Sequence, residues 1–472
     1  MARRRVRRLG TAFVVKIALI GGGGFRTPMV YETLAGVASD VDVDELVLFD
    51  LDAARLERTA AVIEGIDRER GGRVISVHTS TSLEDAVEGA GAVFAAVRVG
   101  GLAARIVDER VPLELGVLGQ ETVGPAGVAF ALQTVPEMQR IATVVRGRAP
   151  HAWFVNFTNP AGLVTEAVRT VLGDRVIGIC DSPTTLWRHA AAALGRPMSS
   201  LRPTYVGLNH LGWLTGLWDE GHDVLPALVR DDRVSRVHEA VLAGVSDVRE
   251  RGMIPNEYLA YYRATSDVIA AFRRDGSRSE ILARQQAAFY DADPSSPDEA
   301  LAAWRRAKNA RHSTYMAETR DGEPAAVGRD VSRESAKDTH HVLSDDEAGY
   351  GGVAAAYVRA VTNDTGERLI LGVRNGGTVR WLDDDATVEV PCVVTETDPI
   401  VDRVVDLRGE ERALMERVRD AERATLAAVV SPSREAVVEA ISSHPVVPSR
   451  EMAERIVDGY LERHTWMRER YA

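Results

Sequence analysis

The sequence predicts an α/β protein with an N-terminal doubly wound parallel sheet and a C-terminal mixed α+β domain. Within the first two hundred residues, short apolar runs alternate with longer segments of helical character. Near-continuous apolar strands separated by helices are typical of a parallel sheet covered on both faces. After about residue 200 this alternation stops, which indicates a second part of different architecture.

Six apolar runs are the predicted strands of the parallel sheet: FVVKIALI, ELVLFD, RVISVH, AVFAAV, AWFVNF and RVIGIC. The first strand is predicted at Ala12–Ile20, after a basic leader at residues 1–14. That leader resembles the start of a signal peptide, but Lys16 interrupts the apolar run and no small-residue cleavage site follows. The predicted N-terminal domain therefore spans residues 15–200.

The C-terminal domain, residues 201–472, is predicted to mix helices with strands. PTYVGLNHLGWLTGLWD indicates one or two strands with a turn, and residues 224–319 are mostly helical in pattern. RLILGVRNGG and TVRWLDDDATVEVPCVV indicate further strands, separated by the turn residues Gly376 and Gly377. From about Arg412 the pattern is helical again.

Composition excludes several classes of partner. The net charge of −12 argues against nucleic acid or an anionic membrane as the main partner. No apolar run approaches the roughly 18 residues that a membrane span needs. Only two cysteines, Cys180 and Cys392, are present, so a disulfide framework is excluded and a cytoplasmic location is expected.

The segment KIALIGGGGFRTP predicts a dinucleotide site. A strand, the glycines Gly21–Gly24 with Phe25, and a helix start follow one another, so backbone amides can approach a pyrophosphate. Asp50 ends the second strand, where a carboxylate binds the ribose hydroxyls of NAD and repels the 2′-phosphate of NADP. A glycine turn without a ligand is the alternative. The strand context favours a Rossmann-like, lactate/malate dehydrogenase-like domain that binds NAD.

Polar clusters follow the later strands, at the edge where such sheets hold ligands. They include NFTNPAG, CDSP and GLNHLGW. Cys180 and His210 suit a borderline-soft divalent metal as thiolate and imidazole ligands, and two ligands would leave positions open for substrate. A buried apolar cysteine and a hydrogen-bonded histidine are the alternative, and for an isolated pair this alternative is the stronger.

Five motifs in order resemble glycoside hydrolase family 4: IGGGGFRTP, RVGG…R…DER…GQET.GPAG, FTNPAG, CDSP and GLNHLGW. The resemblance is strongest from Lys16 to Trp213 and continues through IPNEYLAYY toward the C-terminus. It implies an NAD- and Mn²⁺-dependent glycosidase, a homodimer or homotetramer, acting on a phosphorylated disaccharide or glucoside. It also implies transient oxidation at sugar C3, removal of the C2 proton, elimination at C1 and addition of water.

The resemblance implies roles for single residues. Cys180 and His210 would bind the metal, and Tyr258 would take the C2 proton, with Tyr261 and Tyr262 as alternatives in the same motif. Asp181 would act as the acid for the leaving group. The residues implied in sugar or phosphate binding are Arg98, Arg105, Asn159, Asn209 and Arg311.

Two positions bear on the substrate. GLNHLGW with IPNEYLAYY is closer to the 6-phospho-β-glucosidase branch, yet Asp181 is the residue of the α-specific enzymes, so a 6-phospho-α-glucosidase stays open. RHSTYMA, Arg311–Ala317, replaces the Arg-Gly-Gly-Ala-Tyr-Tyr-Ser pattern of the family and leaves an unphosphorylated glycoside open. Two other classes of protein stay open as alternatives to the glycosidase. One is a 2-hydroxy-acid dehydrogenase, suggested by TNP, and the other is a non-catalytic sensor that binds NAD and a sugar.

Overall fold

The computed structural model describes residues 16–41, 43–292, 295–319 and 349–472. The predicted basic leader and the first residues of the predicted first strand lie outside these ranges. Strands within them are β1 (Lys16–Ile20), β2 (Glu45–Phe49), β3 (Ser76–Ser80), β4 (Ala92–Ala95), β5 (Trp153–Asn156), β6 (Val176–Gly178), β7 (Arg202–Leu208), β8 (Leu211–Asp219), β9 (His222–Asp223), β10 (Ile254–Pro255), β11 (Glu367–Arg374), β12 (Thr387–Val394) and β13 (Ile400–Val401).

Helices alternate with the first six strands and dominate the rest of the described chain. They are α1 (Thr27–Val41), α2 (Ala53–Glu69), α3 (Leu83–Val87), α4 (Gly101–Glu114), α5 (Pro125–Arg148), α6 (Ala161–Leu172), α7 (Ser182–Leu194), α8 (Leu225–Arg230), α9 (His238–Ala243), α10 (Val245–Arg251), α11 (Leu259–Arg263), α12 (Thr265–Asp275), α13 (Arg278–Tyr290), α14 (Pro297–Ser313), α15 (Tyr350–Asn363), α16 (Gly409–Val430), α17 (Arg434–Ser442), α18 (Arg450–Arg463) and α19 (Thr465–Tyr471). Short 3₁₀ helices lie at Met198–Ser200, Asp232–Arg236 and Ala317–Thr319.

The first six strands confirm the predicted doubly wound fold. They are parallel and lie in the order β3-β2-β1-β4-β5-β6, which is the order of a dinucleotide-binding domain. Alternate residues of β1 pack on opposite faces: Ile17 and Leu19 belong to one apolar cluster, Ala18 and Ile20 to another. Both faces are therefore buried, and this explains the continuous apolar pattern of the sequence.

The strands of the second half extend the same sheet. β11 pairs with β6 in antiparallel fashion at Gly372 and Gly178, and β12, β7 and β8 continue from β11. A Cβ atom on Gly372 would lie 3.3 Å from the Cα of Gly178, so this crossing from one half of the chain to the other is close. One mixed sheet thus connects the two halves, with the carboxyl end of β6 near its middle.

Among the described residues, none of the helices combines the length and apolar content that crossing a bilayer requires.

Candidate active site

The glycine turn lies between β1 and α1, at the point where the strand order reverses. The amides of Gly21 and Gly22 both donate to the carbonyl oxygen of Phe49, at 2.8 and 2.7 Å. Gly21 has a φ of +88°, and a Cβ atom there would lie 2.5 Å from the carbonyl oxygen of Ala96. A side chain at this position is excluded, and the backbone before the N-terminus of α1 fits a pyrophosphate.

Asp50 follows β2 and fixes the same turn. Its Oδ2 atom accepts a hydrogen bond from the amide of Gly23 at 3.0 Å. The hydroxyl of Tyr290 donates to the carbonyl oxygen of Gly23 at 3.3 Å, and the Arg55 guanidinium lies 4.2 Å from the centre of the Tyr290 ring. The carboxylate predicted for the ribose is therefore next to the turn, beside a cation–aromatic pair that sequence reasoning missed.

Cys180 lies between β6 and α7, where the sequence predicts the end of a buried strand. Its side chain is buried, and burial, followed by the charges of Glu389 and Asp181, raises the pKa of the thiol well above its usual value. A divalent cation would reverse this shift, because it stabilises the thiolate directly. The chemistry of this position therefore fits a metal ligand.

His210 occupies the turn between β7 and β8, with a φ of +63°. Its Nδ1 atom is hydrogen-bonded to the hydroxyl oxygen of Thr122 at 2.6 Å. Its Nε2 atom is buried and has no hydrogen-bond partner among the described residues. Burial lowers the pKa of His210 to about 3, so the ring is neutral. A neutral imidazole with one nitrogen held and the other free fits a metal ligand.

No group of three or more His, Cys, Asp or Glu residues that could hold a metal ion lies within the described ranges. Cys180 and His210 would therefore supply two protein ligands. This fits a catalytic ion whose other positions accept water and substrate.

Two tyrosines connect the surroundings of Cys180 with those of His210. The ring of Tyr258 stacks on that of His210, with centroids 3.7 Å apart and planes at 2°. Tyr258 is also hydrogen-bonded to Tyr315, whose pKa is raised by burial and then by nearby Glu257, Asp181 and Cys180. His210 thus contacts one of two hydrogen-bonded phenols, and Cys180 is near enough to the other to affect its pKa, although RHSTYMA, which contains Tyr315, departs from the family pattern.

The other two candidate bases have different surroundings. The Tyr261 hydroxyl donates to Glu318 at 2.5 Å, and the Tyr262 ring stacks on His444 with centroids 6.0 Å apart. Of the three tyrosines in the motif, Tyr258 is the one whose ring stacks on the His210 ring.

Arg105 lies beside Tyr258 but is also bound by carboxylates. Its Nε atom donates to Glu109 at 2.6 Å, and a terminal nitrogen lies 2.9 Å from Glu121. Burial would lower the pKa of Arg105, but Glu109, Glu121 and, to a smaller extent, Tyr258 raise it above its usual value. Arg98 also pairs with Glu121. Burial would raise the pKa of Glu121, but Arg105 and Arg98 outweigh burial and lower it to about 2.

Other guanidinium groups lie near Arg311. Burial, followed by the neighbouring guanidiniums of Arg26, Arg278 and Arg105, lowers the pKa of Arg311 to about 9. Arg278 is held in place by the Thr314 hydroxyl at 2.7 Å. Guanidinium groups crowded in this way form a site for an anion. Arg26 was missed although it lies inside the glycine motif, and Arg278 lies in no motif.

The two asparagines differ in their surroundings. Asn159 precedes Pro160 through a cis peptide bond. The side-chain amide of Asn209 is engaged at both ends, because Oδ1 accepts from the amide of Ala161 at 3.0 Å and Nδ2 donates to Glu389 at 3.0 Å. Asn209 therefore braces the turn that carries His210.

Two buried carboxyl groups near Cys180 were also missed. Glu257 accepts from the Ser182 hydroxyl at 2.6 Å, and burial, followed by Glu239, raises its pKa to about 7. Burial raises the pKa of Glu389 to about 8, although its hydrogen bond from Asn209 opposes the shift. Glu257 could have been noticed beside Tyr258 in NEYLAYY, whereas Glu389 is brought here only by strand pairing.

Comparisons with known proteins agree with this geometry. The model of the Family 4 glycosyl hydrolases matches residues 16–195, and that of the Family 4 glycosyl hydrolase C-terminal domain matches residues 205–447. The chain is 28% identical to a maltose-6′-phosphate glucosidase of Bacillus subtilis, covering 94% of this chain and 95% of the relative. It is 30% identical to a 6-phospho-alpha-glucosidase of Leptotrichia buccalis, covering 94% of this chain and 97% of the relative.

A solved structure resembles this chain over almost its whole length. It is the 6-phospho-beta glucosidase from Thermotoga maritima with NAD and glucose-6-phosphate, with a TM-score of 0.76 and 25% identity, covering 95% of this chain and 98% of the other. The resemblance seen in the sequence motifs is confirmed, and the chain belongs to family 4 of the glycosyl hydrolases.

Proposed function

We propose that this glycosidase hydrolyses 6-phospho-glucosides with NAD and a divalent metal such as Mn²⁺. Cys180 and His210 would hold the metal, and Gly21–Gly24 with Phe25 and Asp50 would hold NAD. When bound, NAD supplies a hydride acceptor and donor for sugar C3, and the metal supplies Lewis-acid stabilisation of the neighbouring sugar oxygens.

The observation that carries the proposal is the position of Tyr258. Its ring stacks on the ring of His210, and its hydroxyl interacts electrostatically with the Arg105 guanidinium. A phenol needs a neighbouring cation to act as a base near neutrality, because its ordinary pKa is about 10. Tyr258 is thus the base proposed to take the C2 proton next to the metal ligand.

The charge around the site supports a phosphorylated substrate. Arg311 lies near the guanidinium groups of Arg26, Arg278 and Arg105, and the nearby Glu121 is also bound by Arg98 and Arg105. A dianionic 6-phosphate would be bound by such guanidinium groups through charge-assisted hydrogen bonds. Arg98 and Arg105, predicted to contact substrate, are proposed to shape the site through Glu121, while Asn159 is proposed to contact the sugar hydroxyls.

The motifs favour a β-linked substrate, and one observation favours an α-linked one as the second candidate. Asp181 lies next to Cys180, directly before α7, which begins at Ser182. A carboxylic acid here would protonate the leaving oxygen, whereas the asparagine that β-specific relatives tend to carry would not.

The test is hydrolysis of α- and β-linked aryl glucosides, each with and without a 6-phosphate. We expect cleavage of the phosphorylated forms only, dependent on both NAD⁺ and Mn²⁺, with no net NADH. Hydrolysis that persists after both cofactors are removed would contradict the proposal. Stoichiometric NADH from a 2-hydroxy acid would favour the dehydrogenase, and sugar binding without turnover would favour the sensor.

The expected oligomer, a homodimer or homotetramer, and the expected cytoplasmic location stay predictions. Light scattering of the purified protein and fractionation of the source cells test them.

A further inference from the structure

The orientation of the predicted metal-binding histidine is set by a polar chain that begins at Gln120. Oε1 of Gln120 accepts hydrogen bonds from the amides of Thr122 and Val123, both at 2.8 Å. Backbone amides only donate, so these two bonds identify this side-chain atom as the carbonyl oxygen rather than the amide nitrogen. The orientation of the Gln120 amide is thereby fixed.

The hydroxyl of Thr122 follows from this orientation. Its Oγ1 atom lies 3.1 Å from the same Gln120 oxygen and 2.6 Å from Nδ1 of His210. A carbonyl oxygen cannot donate, so the hydrogen bond between Thr122 and Gln120 uses the single hydroxyl proton of Thr122. The Thr122 oxygen then presents a lone pair to His210 and accepts a proton from Nδ1.

Stacking also holds the histidine ring. Tyr258 covers one face of the ring, and Nε2 is buried with no partner among the described residues. A buried N–H without an acceptor is costly. A bare Nε2 lone pair is instead the form that accepts a cation, so the tautomer with the proton on Nδ1 fits both ends of the ring.

We propose that Gln120 and Thr122 are positioning residues that fix His210 as the Nδ1-protonated tautomer, leaving Nε2 free to bind a divalent cation. This inference rests on the proposed function only for the identity of the cation. A hydrogen-bond partner on the ring nitrogen that does not bind the metal typically raises the metal affinity of a histidine site by about 10- to 100-fold.

The test uses the metal-free protein labelled with ¹⁵N-histidine. Long-range ¹H–¹⁵N correlation spectra report the tautomer, and the His210→Gln variant assigns the signal of His210. We expect a protonated Nδ1 and a bare Nε2 in the wild type. Thr122→Val should lose this preference and bind Mn²⁺ about 10- to 100-fold more weakly, as followed by the electron paramagnetic resonance of free Mn²⁺.

Three further variants separate this role from general packing. Thr122→Ser keeps the hydroxyl and should restore the wild-type tautomer and affinity. Gln120→Met removes the acceptor, so Thr122 should turn and donate to Nδ1, and the proton should move to Nε2. Thr134→Val, which removes a buried hydroxyl on α5 that has no partner in the described structure, should change neither readout.

A wild-type ring protonated on Nε2 would overturn the inference, as would a Thr122→Val protein with the wild-type tautomer and Mn²⁺ affinity. Failure of the proposed function gives a different result. If Thr122 controls the tautomer but the wild type does not bind Mn²⁺, the positioning role stands and the metal-dependent reaction is wrong.

Discussion

The rings of His210 and Tyr258 stack in parallel, with centroids 3.7 Å apart. The Nε2 atom of this histidine ring is buried and has no hydrogen-bond partner within the part of the chain that the structure describes. His210 comes from a turn between two antiparallel strands, and Tyr258 precedes a short helix. Their juxtaposition joins the proposed base to the proposed metal site.

Replacing Tyr258 by Phe should preserve this stacking and abolish proton transfer. We expect kcat to fall about 10²- to 10⁴-fold, the usual contribution of a positioned acid or base, with little change in melting temperature. Steady-state hydrolysis of an aryl 6-phospho-glucoside and thermal unfolding measure the two effects. Tyr262→Phe is the matched control. If Tyr262→Phe loses activity while Tyr258→Phe retains it, the assignment of Tyr258 as the base is wrong.

Replacing Arg311 by Met should affect phosphorylated substrates selectively. Loss of a hydrogen bond to a charged group costs about 1.5–3 kcal/mol, so the affinity for a phosphorylated sugar should fall roughly 10- to 100-fold. The dissociation constants of glucose-6-phosphate and glucose, measured by titration, report the selectivity. Arg305→Met, which removes a surface partner of Glu69, is the control. An equal loss of affinity for both sugars would mean that Arg311 does not bind the phosphate.

Asp50→Asn should narrow the preference for NAD over NADP. The carboxylate that repels a 2′-phosphate is lost, while the amide oxygen can still accept from Gly23. Fluorescence titrations with NADH and NADPH measure the ratio of the two dissociation constants. Asp52→Asn is the control, because Asp52 caps α2 by accepting from the amide of Arg55. An unchanged ratio in Asp50→Asn would contradict the assignment of the ribose site.

Glu257 should make the stability of the metal-free protein depend on pH. Burial, followed by Glu239, raises its pKa from 4.5 to about 7, so the folded state keeps a proton that the unfolded chain releases. The free energy of unfolding from this group therefore falls as pH rises from about 4.5 to 7, by roughly 3 kcal/mol.

Denaturant unfolding of Glu257→Gln at pH 5 and pH 8 tests this dependence. Relative to the wild type, the variant should gain stability at pH 8 compared with pH 5, because it no longer buries a charge. The exposed Glu64→Gln variant, which alters an ion pair with Arg68, should show no such gain. A decline with pH equal to that of the wild type would rule out Glu257 as its source.

Local pattern was sufficient to predict the nucleotide-binding half. The glycine turn at Gly21–Gly24 and the acid at Asp50 are each encoded within a few residues. The strands of the parallel sheet, except the edge strand β3, are short and mainly apolar runs. Such features need no knowledge of distant partners. The order of the first six strands follows from the fold class that they predict.

The pairing that joins the two halves of the sheet could not be predicted from local sequence pattern. The same is true of the positions of the buried carboxyl groups near Cys180. β11 joins β6 at one pair, Gly372 and Gly178, which is a contact between residues far apart in the sequence. The partners of Glu389 follow from the pairing of β12 with β7 at Gly207. Tyr315 was overlooked because the residues around it depart from the family pattern, yet its side chain is hydrogen-bonded to that of Tyr258.

The most direct measurement is the absorption spectrum of the protein loaded with one equivalent of Co²⁺, a spectroscopic substitute for Mn²⁺. If Cys180 and His210 share an ion, a sulfur-to-cobalt charge-transfer band appears in the wild type. The band should be absent in Cys180→Ser, altered in His210→Gln and unchanged in Cys392→Ser, the other buried cysteine. A band of undiminished intensity in Cys180→Ser, or no binding of Co²⁺ by the wild type, would contradict a metal site at these residues.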